Sequence, residues 1–392
     1  MYRLIILSLS TLYLLNAQTY QELLTQALQN NVTLQIAQSK ERAVMLEGAI
    51  KTRRKNPNLE LEVSDYLELG SNRFNAINDF GVKAGVTQEL LLPKVKKDIE
   101  HLTQAKIKVA NQNHKLLKSE FIYRFTLYYL EYKNRLKKRL FLKEALGVSN
   151  EILETVQLHY EHGAIPKSEF LQSRLNTREL LNQIDELNLQ IAQKKDAFFS
   201  FANIKSSQTI NTSYAISLKN RKAKHPFIQL KEQEQALSNA KLKLLSHPIE
   251  SIELFSEIEK EPNEDIFRVG ISIPLPLYNH KSQEKELVKI ERNQQQLQQK
   301  SQERLLNIKL EQLKNRQEQI SQAKEQYQKR LEEQEQLFLM YKQGYEVAKV
   351  NLIELQKSQQ QRIKIQKKIA ILEMKYKKNI VKINYLRGAY SE

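Results

Sequence analysis

Two different periods organise the apolar residues of this chain. In the intervals 94–165 and 277–392, which contain no proline, they follow a narrow helical stripe. Leu306, Leu313, Ile320 and Tyr327 fall seven apart with Leu310, Ala323 and Leu331 beside them, and Gln, Lys and Glu fill the surface between. Such a stripe is a coiled-coil-like seam with water on the other faces, whereas a globular core helix carries a wider apolar face. The Gln-dense run from Gln294 to Gln336 keeps this heptad spacing and so reads as helix rather than disordered chain. A helix of some seventy residues, at 1.5 Å rise each, is a rod of about 100 Å, longer than a compact domain.

Between these stretches the period drops to two. Leu59, Leu61, Val63, Leu67 and Leu69 alternate with Glu60, Glu62, Ser64, Tyr66 and Glu68. After a polar turn from Gly70 to Asp79, Phe80, Val82, Ala84, Val86, Leu90 and Leu92 alternate with Gly81, Lys83, Gly85, Thr87 and Glu89. Each segment predicts a strand of about ten residues. The pattern returns with Ile252, Leu254 and Ile258, a loop from Glu259 to Asp265, and then Phe267, Val269, Ile271, Ile273, Leu275 and Leu277 opposite Arg268, Gly270, Ser272, Pro274 and Pro276. The two prolines mark the end of this last strand, because proline cannot donate to a ladder.

The recurrence has a fixed offset. Gly85-Val86-Thr87 with Leu90 and Leu92 returns 185 residues later as Gly270-Ile271-Ser272 with Leu275 and Leu277. At the same offset Tyr160-Glu161-x-Gly163-x-Ile165, with Glu169, Phe170 and Ser173, returns as Tyr345-Glu346-x-Ala348-x-Val350 with Glu354, Leu355 and Ser358. The unchanged offset predicts two intervening rods of equal length. Upstream, Leu59 and Leu61 match Ile252 and Leu254 at 193, so the first hairpin is longer by eight residues. The chain therefore reads as a tandem duplication. The first repeat is 18–219, with a hairpin at about 58–92 and a turn at 163–168. The second is 220–392, with a hairpin at about 250–277 and a turn at 347–351. Each repeat runs helix, β-hairpin, very long helix, turn, helix.

Residues 1–17 stand apart: Arg3, an apolar run from Leu4 to Leu15, then Asn16 and Ala17. They read as a secretory signal cleaved after Ala17. Nine Gly, eight Pro, no Cys and no Trp argue against a loop-rich or disulfide-stapled fold. The absence of cysteine also excludes a lipid-anchored Cys, a thiol nucleophile and a thiolate zinc site. A mean hydropathy of -0.58 leaves no room for a bundle of membrane helices. The net charge of +17 is concentrated: fourteen Lys or Arg against four acids from Lys94 to Lys143, and eleven against two from Lys349 to Arg387. An exported chain whose cations run along helices without interleaved aromatics does not fit a nucleic-acid binder. It fits solvated helix faces beside an anionic membrane or wall.

Ten-residue strands with one apolar face suit either two soluble hairpins packed on a helix layer or a membrane barrel with a polar lumen. Four strands cannot close a barrel, and an open edge in lipid leaves backbone groups unsatisfied. If the strands span a membrane, several chains must share one barrel.

Tyr20-Gln21-Glu22-Leu23 through Ala27-Leu28-Gln29-Asn30-Asn31, Asn56-Pro57-Asn58-Leu59, Gly85-Val86-Thr87-Gln88, Ile273-Pro274-Leu275-Pro276-Leu277-Tyr278-Asn279 and the two Tyr-Glu-x-Gly/Ala turns resemble the TolC-like outer-membrane efflux channels. The resemblance covers almost the whole mature chain, in order and in both halves. It implies an α+β fold, with a tandem-duplicated coiled-coil tube in the periplasm and four transmembrane strands per chain that complete a twelve-stranded barrel as a homotrimer. It also implies a passive exit duct, joined to a periplasmic adaptor and a proton-driven inner-membrane transporter, with no cofactor and no chemistry of its own. That agrees with the lack of a phosphate loop, metal-ligand run or nucleophile set in the sequence.

By the same resemblance the two turns form the periplasmic tip gripped by the adaptor, with Gly163, Ala164, Ile165, Pro166, Ala348, Lys349, Val350 and Asn351 as contacts. Gly163 can take positive φ and Pro166 fits the first turn of the next helix, whereas Ala348 stands where the family usually has Gly. Glu354 matches an acidic position that rings the closed pore, with Glu169 its counterpart, while the second usual acid falls on Lys357. The stretch Ile273–Asn279 resembles the heavy-metal cation subgroup, and His159 and His162 share a helical face beside the tip. A drug or type I secretion duct of the same fold is the alternative. A periplasmic coiled-coil rod or adaptor is the alternative of another class, and a secreted hydrolase lacks a convergent catalytic set.

Overall fold

The alternating segments form one antiparallel sheet. The computed structural model describes residues 18–65, 80–205, 210–220, 223–261, 264–347 and 349–391. The leader over 1–17, the first hairpin's turn with Tyr66 to Glu68 and Leu69, and Ala348 lie outside the described residues. Among the described residues seven helices and four strands follow in the order α1 (Tyr20–Asn30), α2 (Val32–Thr52), β1 (Asn58–Asp65), β2 (Phe80–Leu91), α3 (Pro93–Glu161), α4 (Lys167–Ala202), α5 (Pro226–Leu245), β3 (Ser251–Lys260), β4 (Asp265–Ser272), α6 (Ser282–Glu346) and α7 (Leu352–Leu386). They divide into two compact units: residues 1–35, 117–225 and 305–392 form the first, residues 36–116 and 226–304 the second. No helix among the described residues is long and apolar enough to cross a membrane.

In the first unit the seam is realised by antiparallel helix pairs. On α6, Leu306, Leu310, Leu313, Ile320, Tyr327, Leu331, Phe338 and Tyr345 are buried or half-buried while the residues between are mostly exposed, so the heptad read from the sequence is the packing face. It meets α7, where Ile383 and Leu386 pack with Leu313, and Asn379 donates to Leu313 O and Gln317 Oε1, each at 2.7 Å. Nearer the turn Gln334 donates to Ser358 Oγ at 2.9 Å. The pair α3 and α4 holds one register from Phe125–Phe198 through Leu142–Ile184 to Ser149–Thr177, whose hydroxyls lie 2.9 Å apart.

Farther from the turns α1 enters through a capping box made by Thr19 and Glu22. Tyr20, Phe121, Phe125, Tyr129, Phe198 and Phe199 form the largest aromatic cluster of this unit. The chain then closes on itself at Gly388. Its φ is +68°, and a Cβ there would lie 2.8 Å from Lys224 O. Only glycine allows that approach.

In the second unit the strands pair in the order β1-β2-β3-β4. The starts repeat as the sequence offsets require, with Asn58 and Ser251 separated by 193 and Phe80 and Asp265 by 185. The last strand stops at Ser272 rather than Leu277, because Pro274 and Pro276 offer no N–H to a ladder. The rods are not equal in length: α3 has 69 residues and α6 has 65. Pro93 opens α3 directly after β2. In the second half residues 273–281 remain extended or turned, and Lys281, at φ 55°, donates its N–H to Asn279 Oδ1 before α6 begins. Near the start of α3 Asp98 accepts from Lys243 at 2.9 Å and pairs with His247 at 2.8 Å. The lysine and histidine hold its carboxyl below the usual range, the His247 hydrogen bond first.

Candidate functional site

The register of the sheet sorts its side chains onto two unlike faces. Leu59, Leu61 and Val63 pair across to Val86, Ala84 and Val82, and Ala84 pairs on to Ile258. Leu254, Ser256 and Ile258 in turn pair with Ile271, Val269 and Phe267. Directly opposed residues share a face, so these form one continuous apolar surface. It is uncovered among the described residues: Leu61 is 72% exposed and Val269 69%. Ile273, Leu275 and Leu277 prolong it past the end of β4, and Tyr278 beside them is 97% exposed. An apolar area of this extent requires a partner or lipid.

The opposite face is acidic. Glu60 and Glu62 of β1, Glu89 of β2 and Glu253, Glu257 and Glu259 of β3 stand there against Lys83 and Arg268. The two cations are engaged: Lys83 with Glu257 at 3.0 Å, and Arg268 with Glu257 at 2.9 Å and also with Glu259. Glu89 pairs with Lys55 outside the strands. Among the described residues that leaves Glu60, Glu62, which lies opposite the already engaged Lys83, and Glu253 as carboxylates in excess of the cations. This face was legible in the alternation, since most of its residues are polar or glycine, with Phe255 and Ile266 among the exceptions, but a reading centred on apolar positions passes over its sign.

The two turns lie together in the first unit, and their ends repeat to the residue. The long helices stop at Glu161 and Glu346, and the following helices start at Lys167 and Leu352, both 185 apart. Around them Ile152, Val156, Phe338, Tyr345, Leu352 and Leu355 form one cluster, with Ile165 and Phe170 against it. The helix pairs α3–α4 and α6–α7 touch through the His159 and Tyr345 rings, 5.4 Å apart, and through Lys342 and Glu151 at 2.8 Å.

Gly163 takes φ +73°, and Ala164 returns its N–H to His159 O at 2.8 Å, a left-handed helix stop. Pro166 is not in the first turn of α4 but one residue ahead, as its N-cap, in extended backbone. Lys167 and Ser168 are accordingly helical, so the turn is shorter than 163–168. Asn351 is the matching N-cap of α7, and its side chain accepts the Glu354 N–H at 2.9 Å. Lys349 and Val350 both direct their N–H groups to Gly344 O. The close approach is made by Gly344, which the sequence reading did not single out. A Cβ there would meet Val350 Cγ2 at 2.6 Å.

Replacing Asn351 by Ala is expected to weaken the start of α7 by about 1 kcal/mol, and Gly163→Val to strain the first turn by about 1–2 kcal/mol. Hydrogen exchange of the amides of 352–356 and 159–165 reads each effect separately.

Glu169 and Glu354 both occupy the first turn of a helix, where a carboxylate complements the N-terminal dipole. Glu354 and Lys357 are exposed on α7, whereas Glu169 is half-buried and its charge helps to raise the Tyr345 phenol, already pushed up by burial to about 12. The histidines do not converge: Nδ1 of His162 contacts its own helix at Leu158 O, 2.7 Å away, while His159 lies on Tyr345. Among the described residues no group of three His, Cys, Asp or Glu side chains could hold a metal ion.

No family model and no curated protein matches the chain. Solved structures do. CusC, described in connection with transmembrane channel formation, is 14% identical, with 94% of this chain and 91% of that one covered at a TM-score of 0.73. The CmeC outer membrane channel of Campylobacter jejuni is 13% identical over 94% and 85%, at 0.73. The outer membrane protein VceC of Vibrio cholerae is 12% identical over 94% and 95%, at 0.72. The chain has the TolC-like outer-membrane channel fold. Within that channel fold the bare sheet and the paired turns are the two features whose chemistry needs an account.

Proposed function

We propose that the chain is the outer-membrane exit duct of a tripartite efflux system, exported by its leader and working as a homotrimer. The carrying observation is the sheet: a bare apolar face on one side, a charged face on the other, and two edge strands, β1 and β4. In lipid the apolar face is solvated by acyl chains and the charged face needs a water-filled lumen. The edges then have to be paired. Because the strands alternate in direction, β4 of one copy meets β1 of the next antiparallel, and each copy adds four strands. Three copies give twelve, the number the family resemblance implies.

The turns serve as the tip for a periplasmic adaptor, through Gly163, Ala164, Ile165, Pro166, Lys349, Val350 and Asn351 together with Ala348. Glu354 and Glu169, with Lys357 beside them, bias the constriction near that tip. The inner-membrane transporter supplies the energy, and the duct performs no chemistry.

Cationic cargo, with heavy-metal ions first, is favoured by the surplus glutamates of the lumen face, since a channel lined by one sign of charge concentrates the opposite ion. Membrane fractionation followed by chemical cross-linking tests the architecture: a detergent-dependent trimer in the outer membrane is expected, and a stable monomer soluble without detergent would sink it. Sensitivity of a deletion strain to toxic metal ions but not to neutral drugs tests the cargo. Sensitivity to drugs alone would replace metal ions by the drug-duct alternative.

A further inference from the structure

Of the seventeen excess positive charges, fifteen fall in the unit made of 1–35, 117–225 and 305–392. Part of this surplus is neutralised. Glu131 holds Lys194 and Lys378, and Glu373 holds Lys137 and, at 3.9 Å, Lys324. A different arrangement lines the 760 Å³ groove along α4 and α7, where Arg330, Lys364, Lys367 and Lys368 converge. Lys367 donates to the Gln183 amide oxygen at 2.8 Å and Lys368 lies 5.9 Å from the Tyr327 ring centre, so both are held by neutral groups. Among the described residues Glu179 is the one carboxylate in the lining, and it accepts from Gln183 at 2.9 Å.

A second observation points the same way. Gln356, 6% exposed and lining the groove, has a buried amide nitrogen with no acceptor among the described residues. A buried donor without a partner is costly, and native proteins usually satisfy it. Amides of Asn176, Gln359 and Gln360 line the same space. The adjoining cavity shares Lys367 and adds Arg135 and Lys138. There burial, followed by the charges of Arg135 and Lys367, lowers the affinity of the Lys138 amine for its proton.

We propose that this groove is a binding site for a small polyanion rich in acceptor oxygens, such as a polycarboxylate. Its charges would face Arg330, Lys364, Lys367 and Lys368, and one acceptor would take the Gln356 N–H. The volume is that of an ordinary ligand pocket, and charge-assisted hydrogen bonds are the strong kind. The site lies within one unit of a single chain and does not depend on the exit-duct reading.

The test is titration calorimetry of citrate into the full-length protein in nonionic detergent at low ionic strength. The variants are Lys364→Gln with Lys368→Gln, Gln356→Leu, and a charge-matched control, Lys94→Gln with Lys96→Gln, on exposed residues of α3. The groove pair is expected to weaken citrate binding by tenfold or more, and Gln356→Leu by about tenfold, the worth of a hydrogen bond to a charged group. The control pair is expected to change it less than twofold. Equal losses in both lysine pairs would reduce the effect to general charge attraction and overturn the site, as would the absence of citrate binding. If Gln356→Leu disturbs folding, by circular dichroism, the two lysine pairs still decide the question because all four side chains are exposed.

Discussion

Replacing Val269 by Arg is expected to abolish assembly of the protein in the outer membrane. Val269 sits midway along β4, an edge strand, on the face that also carries Leu254, Ile258 and Ile271. If that face meets acyl chains, a guanidinium at this depth costs about 2–4 kcal/mol in each copy, and the cost recurs in every subunit of the oligomer. The same substitution at Thr87, which pairs with Phe255 on the opposite, charged face, should be tolerated. Comparing the detergent-resistant, heat-dissociable oligomer in outer-membrane fractions of the two variants separates a lipid face from a merely crowded one. Val269→Arg protein that assembles like its parent would remove the lipid assignment, and with it the reason for several chains to share a barrel.

The parts of this fold that are legible in the sequence are those set by local periodicity. The α6 seam from Leu306 to Tyr345 buries the residues its heptads mark, because a 3.5-residue period leaves a helix only one face to pack. The strand starts at Asn58 and Ser251, and at Phe80 and Asp265, keep the offsets of 193 and 185 for the same kind of reason, since alternation and its interruption are local signals.

Pairing between elements is a different matter. Nothing in the alternation of Val82 to Leu90 says that β2 joins β3 rather than leaving two separate hairpins. That contact is made between residues 160 to 178 apart and follows from the register of Val82 with Lys260 through Leu91 with Ser251. The two rods differ in length because Pro93 opens α3 directly after β2, while the counterpart region carries Pro274 and Pro276, which end a strand without starting a helix.

At the turns the resemblance pointed to Gly163 and Ala348 as equivalent. The close backbone approach in the second turn instead falls on Gly344, where Val350 packs. The polar groove was not legible at all. Gln356, Arg330 and Lys364 come from two helices, and only the antiparallel register of α6 with α7 brings them to one wall.

Alkaline solution should unfold the first unit well before chemistry demands it. Tyr20 stacks on Tyr214 with ring centres 4.0 Å apart and meets Thr126 Oγ1 at 2.7 Å. The Thr126 hydroxyl donates to Ile122 O, so the Tyr20 phenol must be the donor and must keep its proton. Tyr129 likewise donates to Asn211 O at 3.3 Å. Burial pushes the phenols of Tyr129 and Tyr390 up to about 12 and raises Tyr20 as well, from an ordinary value of 10.0.

The sign follows from linkage. Between pH 10 and 12 the unfolded chain loses these protons while the folded chain retains them, so the stability they contribute is complete below pH 10 and declines as pH rises through that window. Each tyrosine so placed accounts for on the order of 2 kcal/mol by pH 12, and three of them together rival the net stability of a domain. Circular dichroism melts at pH 9 and pH 11.5 should therefore differ sharply, and Tyr129→Phe, which keeps the ring and removes the titrating proton, should recover part of the loss at pH 11.5. A melting temperature unchanged between the two pH values, or an equal loss in Tyr129→Phe, would mean that these phenols ionise in place and that the aromatic cluster is open to water.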